Sequence, residues 1–288
     1  MEPKVVSDRV FRLGEGPLWN HRENTIYWTD ITGKGVFRLN PETKSIETMF
    51  EGEMVGGFTF QENGGLLLFM EQGKIAKCHD GELEIIYESL PGEENNRFND
   101  VIADPEGRVF CGTMASSPKD PGSLYLLDTN GSISKVLDEI QISNGLGFNN
   151  ELNLLYYIDT PTMRIDAFDY DRTSGAISNR RVFADTSDQP GIPDGMTVDA
   201  VGNIWNARWN GWCCICFSPD GEKTLQIDFP ARKVSSVIFG GSDYKTMYFT
   251  TANRPQGVDE DEGPQGGKLF SLQSEFVGKP EFLSKVLI

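Results

Sequence analysis

Six residues stand in one register ahead of the six most apolar segments of the chain. They are Glu15, Gly56, Asn99, Asn144, Asp194 and Ser236, each 10 or 11 residues upstream of its segment. Two carboxylates and two carboxamides among them are hard oxygen donors, a set that suits Ca²⁺, Mg²⁺ or Mn²⁺; Zn²⁺ also accepts oxygen, so donor type alone leaves the metal open. A cation held by few protein ligands keeps positions for water and substrate and can polarise a carbonyl. A carboxylate beside it can act as general base. Asp194 suits that role, with Glu15 committed to the metal. Arg97, two residues before Asn99, points to the same side of its strand and could bond sugar hydroxyls or steady a developing negative charge. Taken singly, Glu15 between two glycines, Asn144 before Gly145 and Asp194 between Pro193 and Gly195 each also fit an ordinary turn. Their common register sets them apart. A Ser-His-Asp arrangement has little to draw on, with only His21 and His79 present, and no Gly-rich phosphate loop leads from a strand into a helix.

The elements that must carry these residues repeat. The apolar segments begin at Ile26, Leu67, Val109, Leu155, Ile204 and Met247, spaced 41, 42, 46, 49 and 43 residues apart. A period in the forties with several short strands per copy marks a propeller. A third strand in each copy reads GVFRLN, GKIAKC, GSLYLL, RIDAFD, WCCICF and GKLFSL. A fourth reads SIETMF, LEIIYE, ISKVLD, ISNRRVF and TLQIDF. Turn clusters such as Ser218-Pro219-Asp220-Gly221 separate them. The expected fold is all-β, a six-bladed β-propeller with four antiparallel strands per blade, residues 1–288 forming one domain. The first strand of each blade lines the central channel, so residues at matching positions converge on the axis although they span some 180 residues of sequence. To close the ring, the strand around Lys4–Val10 is expected in the last blade, with Phe282–Leu287 as its competitor.

Composition bounds the partners. The formal net charge of −17 disfavours nucleic acid and anionic membranes. No apolar span approaches the roughly 18 residues of a membrane helix. MEPKVVSDRVF lacks the apolar stretch of a signal peptide, and five cysteines without a pairing pattern fit a reducing cytoplasm. Cys213, Cys214 and Cys216 alternate along a strand-like run, which favours packing over zinc.

The segments LGEGPLW (Leu13–Trp19), NNRFND (Asn95–Asp100), GTM (Gly112–Met114), ISNGLGF (Ile142–Phe148), PDGMTVD (Pro193–Asp199) and FGG (Phe239–Gly241) resemble, in order, the motifs of the regucalcin/gluconolactonase (senescence marker protein 30) family. The resemblance implies one divalent metal in the channel, Ca²⁺ first and Zn²⁺, Mn²⁺, Mg²⁺ or Fe²⁺ as alternatives, and hydrolysis of aldonolactones to sugar acids. It puts the metal ligands at Glu15, Asn144 and Asp194, the base at Asp194, and the substrate contacts at Arg97 and Asn99. Where vertebrate members carry a substrate-contacting Glu after GTM, this chain reads Ala115-Ser116-Ser117. Trp205–Trp212 and Thr250–Asn253 look most like microbial sugar lactonases acting on xylono-, arabino- or gluconolactone. The expected partner is a small sugar lactone, the expected state a monomer or weak dimer. Two other readings stay open: a metal-dependent ester or phosphotriester hydrolase, and a non-catalytic calcium-binding propeller. The acidic loop Asn253–Gly266 could overhang the mouth, and Trp209, Trp212 and Phe58 are candidates to shape the pocket.

Overall fold

A computed structural model of the chain describes residues 2–149, 151–254 and 261–287. Six four-stranded antiparallel sheets form the blades of a β-propeller. Blade 1 comprises β2 (Gly14–Asn20), β3 (Thr25–Asp30), β4 (Gly35–Leu39) and β5 (Ile46–Glu51). Blade 2 comprises β6 (Val55–Phe60), β7 (Leu66–Met70), β8 (Ile75–His79) and β9 (Glu82–Tyr87). Blade 3 has β10 (Arg97–Ala103), β11 (Val109–Met114), β12 (Gly122–Leu127) and β13 (Ile133–Ile140). Blade 4 has β14 (Ser143–Asn149), β15 (Leu154–Asp159), β16 (Arg164–Tyr170) and β17 (Ile177–Asp185). Blade 5 has β18 (Ile192–Val198), β19 (Ile204–Trp209), β20 (Cys213–Phe217) and β21 (Lys223–Asp228). Blade 6 runs β22 (Lys233–Gly240), β23 (Thr246–Ala252), β24 (Leu269–Gln273) and then β1 (Lys4–Ser7), the N-terminal strand.

The N-terminus therefore closes the ring. Lys4 pairs with Ser271 and Val5 with Phe270. Closure removes the unpaired edges that an open array of strands would present to other chains. The second strands read as continuous apolar runs because both of their faces are covered by neighbouring blades. Between blades 5 and 6, for instance, Trp205, Phe239, Phe249 and Phe270 share one buried cluster. Each such side chain contributes roughly 1.5–3 kcal/mol on burial. Cys213, Cys214 and Cys216 pack inside β20 as small apolar groups, and burial pushes their thiols up.

The competitor for closure, the C-terminal segment, does something else. Site residues stand near the start of each innermost strand, so the turn joining first to second strand lies at the opposite end of the channel. Residues 274–287 run across those turns. Gly278 N–H donates to Tyr244 (2.8 Å), and Val277 accepts from Ala200 N–H (2.8 Å). Lys279 donates to the Phe148 carbonyl (2.5 Å). Ser284 N–H donates to Phe60 (2.9 Å), Lys285 N–H to Gly107 (2.8 Å) and Leu287 N–H to Thr129 (2.7 Å). Five blades are tied by one strap, with Ser284 and Val286 fully or almost fully buried. Truncation after Gln273 should lower the melting temperature by on the order of 10 °C, since several buried hydrogen bonds and apolar contacts go together. Calorimetry of the truncated chain checks this; an unchanged transition would mean the strap carries no stability. Among the described residues no helix is long and apolar enough to cross a membrane.

Candidate metal and substrate site

Every innermost strand carries a one-residue register shift, and in each it falls at or beside the site register: between Glu15 and Leu18, Val55 and Gly57, Phe98 and Val101, Asn144 and Leu146, Pro193 and Met196, Val234 and Ser236. A bulge inserts one extra residue, bends the strand and re-aims a side chain. In four of the six strands it lets Glu15, Asn99, Asn144 or Asp194 present a polar group at the mouth, with apolar alternation resuming below. The backbone leading in is held by a repeated device. The Asp30 carboxylate accepts from Leu13 N–H (2.9 Å) and Asp159 from Ile142 N–H (2.9 Å), in each case two residues before a site residue. The inner strands then approach closely. A side chain at Gly145 would stand 2.8 Å from the Asp194 carbonyl, and one at Gly56 would stand 1.9 Å from the Phe98 carbonyl. Gly56 thus holds its place in the register for packing, with no donor to offer.

Glu15, Arg97, Asn99, Asn144 and Asp194 all line one cavity of about 220 Å³. Leu13, Met114, Ile142 and Ile192 form its apolar wall, and Thr160, Trp209, Asn210 and Arg254 complete it. Ser236 lies below, in a second and smaller cavity together with Phe58, Asp100 and Glu281. Trp212 lies against the Gly263 region and does not line the upper cavity. Met114, the last residue of GTM, reaches the cavity, and Ala115, Ser116 and Ser117 after it do not line it. Ser116 N–H is taken by Asn96 Oδ1 at 2.8 Å. The middle of the acidic loop Asn253–Gly266, residues 255–260, lies outside the described residues.

A chain of hydrogen bonds fixes the polar groups across blades 3, 4 and 5. Arg97 Nη1 donates to Asn99 Oδ1 (2.7 Å) and to the Phe98 carbonyl (2.9 Å). Asn99 Nδ2 donates to the Ser143 carbonyl (2.7 Å) and to Asn144 Oδ1 (3.1 Å). Asn144 Nδ2 donates to Thr160 Oγ1 (2.9 Å), which donates to the Pro193 carbonyl (2.9 Å). The Asn144 amide nitrogen serves Thr160 and also bonds the Asp194 carboxylate, so its oxygen is the free-ended group, with a lone pair beyond the one Asn99 uses.

Charge at the site is unbalanced in a telling way. Burial pushes Glu15 well above the ordinary carboxylate range, and the charges of Asp194 and Asp100 push it further. Asp194 is raised well above its usual value by burial and then by Asp100, with Asn144 partly offsetting. Asp100 is pushed up to about 7 by burial, against the pull of Arg97 and the Gly145 N–H. Arg97 is itself pulled down to about 10 by burial and stays a cation. Three acids crowd around one arginine near the axis, which is the electrostatics of a place that gains from a divalent cation. Donor chemistry agrees: Glu15 and Asp194 offer carboxylate oxygens and Asn144 an oriented amide oxygen, so the residues fit a hard cation. Among the described residues no three His, Cys, Asp or Glu side chains form a metal cluster; this set is two carboxylates with an amide.

Several contributors were not singled out in the sequence. Asp100 follows Asn99 directly, and simple alternation would turn it away from the channel; the bulge turns it in. Thr160 opens the 3₁₀ turn Thr160–Thr162, just past the end of β15. Asn206 and Arg208 lie under Asp194, both with no exposed surface. Asn206 Nδ2 donates to the Asp194 carbonyl (3.0 Å) and the Gly195 carbonyl (3.3 Å), and its Oδ1 accepts from Arg208 Nη1 (3.1 Å). Arg208 Nε donates to the Pro190 carbonyl (2.9 Å) and Nη2 to those of Gly191 (3.1 Å) and Thr186 (3.3 Å). A fully polar pair inside an apolar run, Asn206-Ala207-Arg208, was the available signal. Asn206→Ala leaves two buried carbonyls and a guanidinium short of partners, at a cost of about 2–4 kcal/mol. It should also lower turnover by about 10-fold or more through misplacement of Asp194. Denaturant titration and kinetics check both; wild-type kinetics would show that Asp194 needs no such support.

The fold and this constellation define a class: six-bladed propellers with a carboxylate-and-amide site at one mouth of the channel. The SMP-30/gluconolactonase/LRE-like region family pattern matches residues 13–253, and the chain belongs to that family. It is 40% identical over 98% of its length to the pentonolactonase XacC of Haloferax volcanii, of which it covers 97%. It is 36% identical over 96% of its length to the putative sugar lactone lactonase YvrE of Bacillus subtilis, covering 97% of that protein. The structure of regucalcin from Agrobacterium tumefaciens, described as a calcium-binding protein, superposes with a TM-score of 0.90 at 26% identity, covering 99% of this chain and 97% of that one.

Proposed function

We infer that this protein is a hydrolase of sugar lactones that opens an aldonolactone, such as a xylono-, arabino- or gluconolactone, to its acid with the help of one divalent cation. The observation that carries it is the convergence of Glu15, Asn144 and Asp194 with Arg97 and Asn99 on one cavity of about 220 Å³. That volume lies below the roughly 300–1,000 Å³ of sites for drug-sized ligands, and so favours a small sugar over a bulky aryl ester or phosphotriester. The names of XacC and YvrE support the same substrate class.

Glu15, Asn144 and Asp194 would hold the cation, with Ca²⁺ the first expectation given its binding by the Agrobacterium relative. When bound, the cation supplies Lewis acidity toward the lactone carbonyl and acidifies water. The protein's own groups do the rest. Asp194 accepts a proton from the attacking water and returns it to the ring oxygen as that bond breaks. Arg97, its guanidinium fixed against Asn99, stabilises negative charge developing on the substrate. Asn99 hydrogen-bonds a substrate hydroxyl. The apolar wall of Leu13, Ile142 and Ile192 limits stray water.

The test is an assay of chelator-stripped protein against sugar lactones, aryl esters and a phosphotriester, with metals returned one at a time. Sugar lactones should rank first and only in the presence of a divalent ion. Aryl esters ranking first would favour the broader esterase, and calcium binding without turnover would favour a binding protein.

A further inference from the structure

Blade 6 stands opposite blade 3 in a ring of six, so the wall facing Arg97 and Asn99 comes from the end of β19 in neighbouring blade 5 and the segment after β23 in blade 6. Trp209 and Arg254 line the cavity from there. Arg254 is close enough to Arg97 for its charge to help pull that guanidinium down. A single side chain positions both. Lys233 is fully buried, its ammonium 5.4 Å from the centre of the Trp209 ring. It donates to the Arg254 carbonyl at 2.6 Å and pairs with Glu262. The ammonium fixes the indole electrostatically and the Arg254 backbone by a charge-assisted hydrogen bond.

Three of the five Arg97 N–H groups already meet the Phe98 carbonyl, Asn99 Oδ1 and Met114 Sδ, which leaves at most two for a substrate. A polyhydroxylated lactone needs more donors than that, and it also presents an apolar C–H face. We propose that Trp209 and Arg254 select the sugar part of the substrate: the indole packs against the C–H face of the lactone ring, and the Arg254 guanidinium donates to its hydroxyls. The proposal rests on the lactonase reading and deepens it. Glu15, Asn144 and Asp194 then act on the ester whatever the ring carries, while blades 5 and 6 sense the hydroxyls. An aromatic platform with a planar, multi-donor cation suits an uncharged polyol.

The test uses metal-saturated full-length enzyme and four substrates: gluconolactone, xylonolactone, a mono-hydroxylated butyrolactone and unsubstituted butyrolactone. Arg254→Gln should lower kcat/KM on the two sugar lactones by about 10-fold or more, chiefly through KM, and change butyrolactone by less than about 2-fold. Trp209→Leu should act in the same direction, and Trp209→Phe should recover most of the loss. Calcium affinity by calorimetry should match wild type in the two Trp209 variants and be no weaker in Arg254→Gln, which loses a positive charge near the ligands; this separates selectivity from damage to the site. A uniform fall across the four substrates, or no fall on any, would overturn the assignment. Wild-type enzyme that turns over no lactone at all would sink the underlying reading, and this one with it.

Discussion

Asp194→Asn should lower turnover on the best lactone by about 10³-fold, while the metal-stripped variant melts at a higher temperature than metal-stripped wild type. The two effects share one cause. Asp194 is buried among like charges, its pKa raised by burial first and by Asp100 next. Its ionised form is costly in the empty protein, a cost that the proposed proton transfer and cation binding would offset. Asparagine keeps the shape and removes both the charge and the base. The backbone should not move, because Asn206 holds the Asp194 and Gly195 carbonyls independently of the side chain. Relief of repulsion should reach Glu15 as well, since Asp194 is the charge that raises it most. A damaged fold would lose both activity and melting temperature, so the opposite signs identify a functional residue that opposes stability. Calcium affinity should weaken in parallel, as a neutral amide replaces a carboxylate. Wild-type turnover in this variant on every lactone tried would remove Asp194 from the mechanism.

Much of this arrangement is legible in the sequence, for a physical reason. A propeller repeats one unit, and the most apolar strand of each unit is the one covered on both faces, so its six occurrences could be aligned by eye and the residues 10 or 11 positions upstream compared. That comparison found Glu15, Asn99, Asn144 and Asp194, and two-residue alternation added Arg97. It also enrolled Gly56, whose role is close packing against Phe98, and Ser236, which sits in the lower cavity. What alternation could not find was whatever the bulges redirect. Asp100 follows Asn99 and still faces the channel, because the extra residue between Phe98 and Val101 breaks the alternation there. Long-range partners were equally hidden. Nothing in the spacing of Thr160 announces a bond to Asn144, and nothing ties Lys233 to Trp209 until blades 5 and 6 are side by side. Of the two segments the sequence offers for ring closure, the N-terminal one closes it, whereas the strap made by residues 274–287 has no periodicity to betray it.

Stripping the metal should reverse the usual relation between pH and stability for a protein rich in acids. Carboxylates that gain partners on folding have depressed pKa values and stabilise the native state as pH rises. The channel acids do the opposite. Asp100 is pushed up to about 7, and Glu15 and Asp194 are raised well above their ordinary values. From the ordinary carboxylate range near pH 4 up to these raised values, the native state therefore holds more protons than the unfolded chain. Stability of the metal-free protein must fall as pH rises through that window, by about 1.4 kcal/mol per pH unit for each excess proton. Glu281, raised by burial, adds to the same slope. Surface acids with lowered values, such as Asp169 and Asp171, act below pH 4 and leave the window untouched. A cation held as proposed would change the sign of the local field and keep Glu15 and Asp194 ionised, so protons and Ca²⁺ would compete for one place. Urea unfolding at pH 5, 6, 7 and 8 should show a declining midpoint in chelator, and with millimolar Ca²⁺ a midpoint that no longer declines. Calcium affinity should rise over the same interval, with protons released into buffer on binding. A metal-free midpoint that stayed level or climbed from pH 5 to 8 would mean that the channel carboxylates are already neutralised from within, and the place for the cation would be gone.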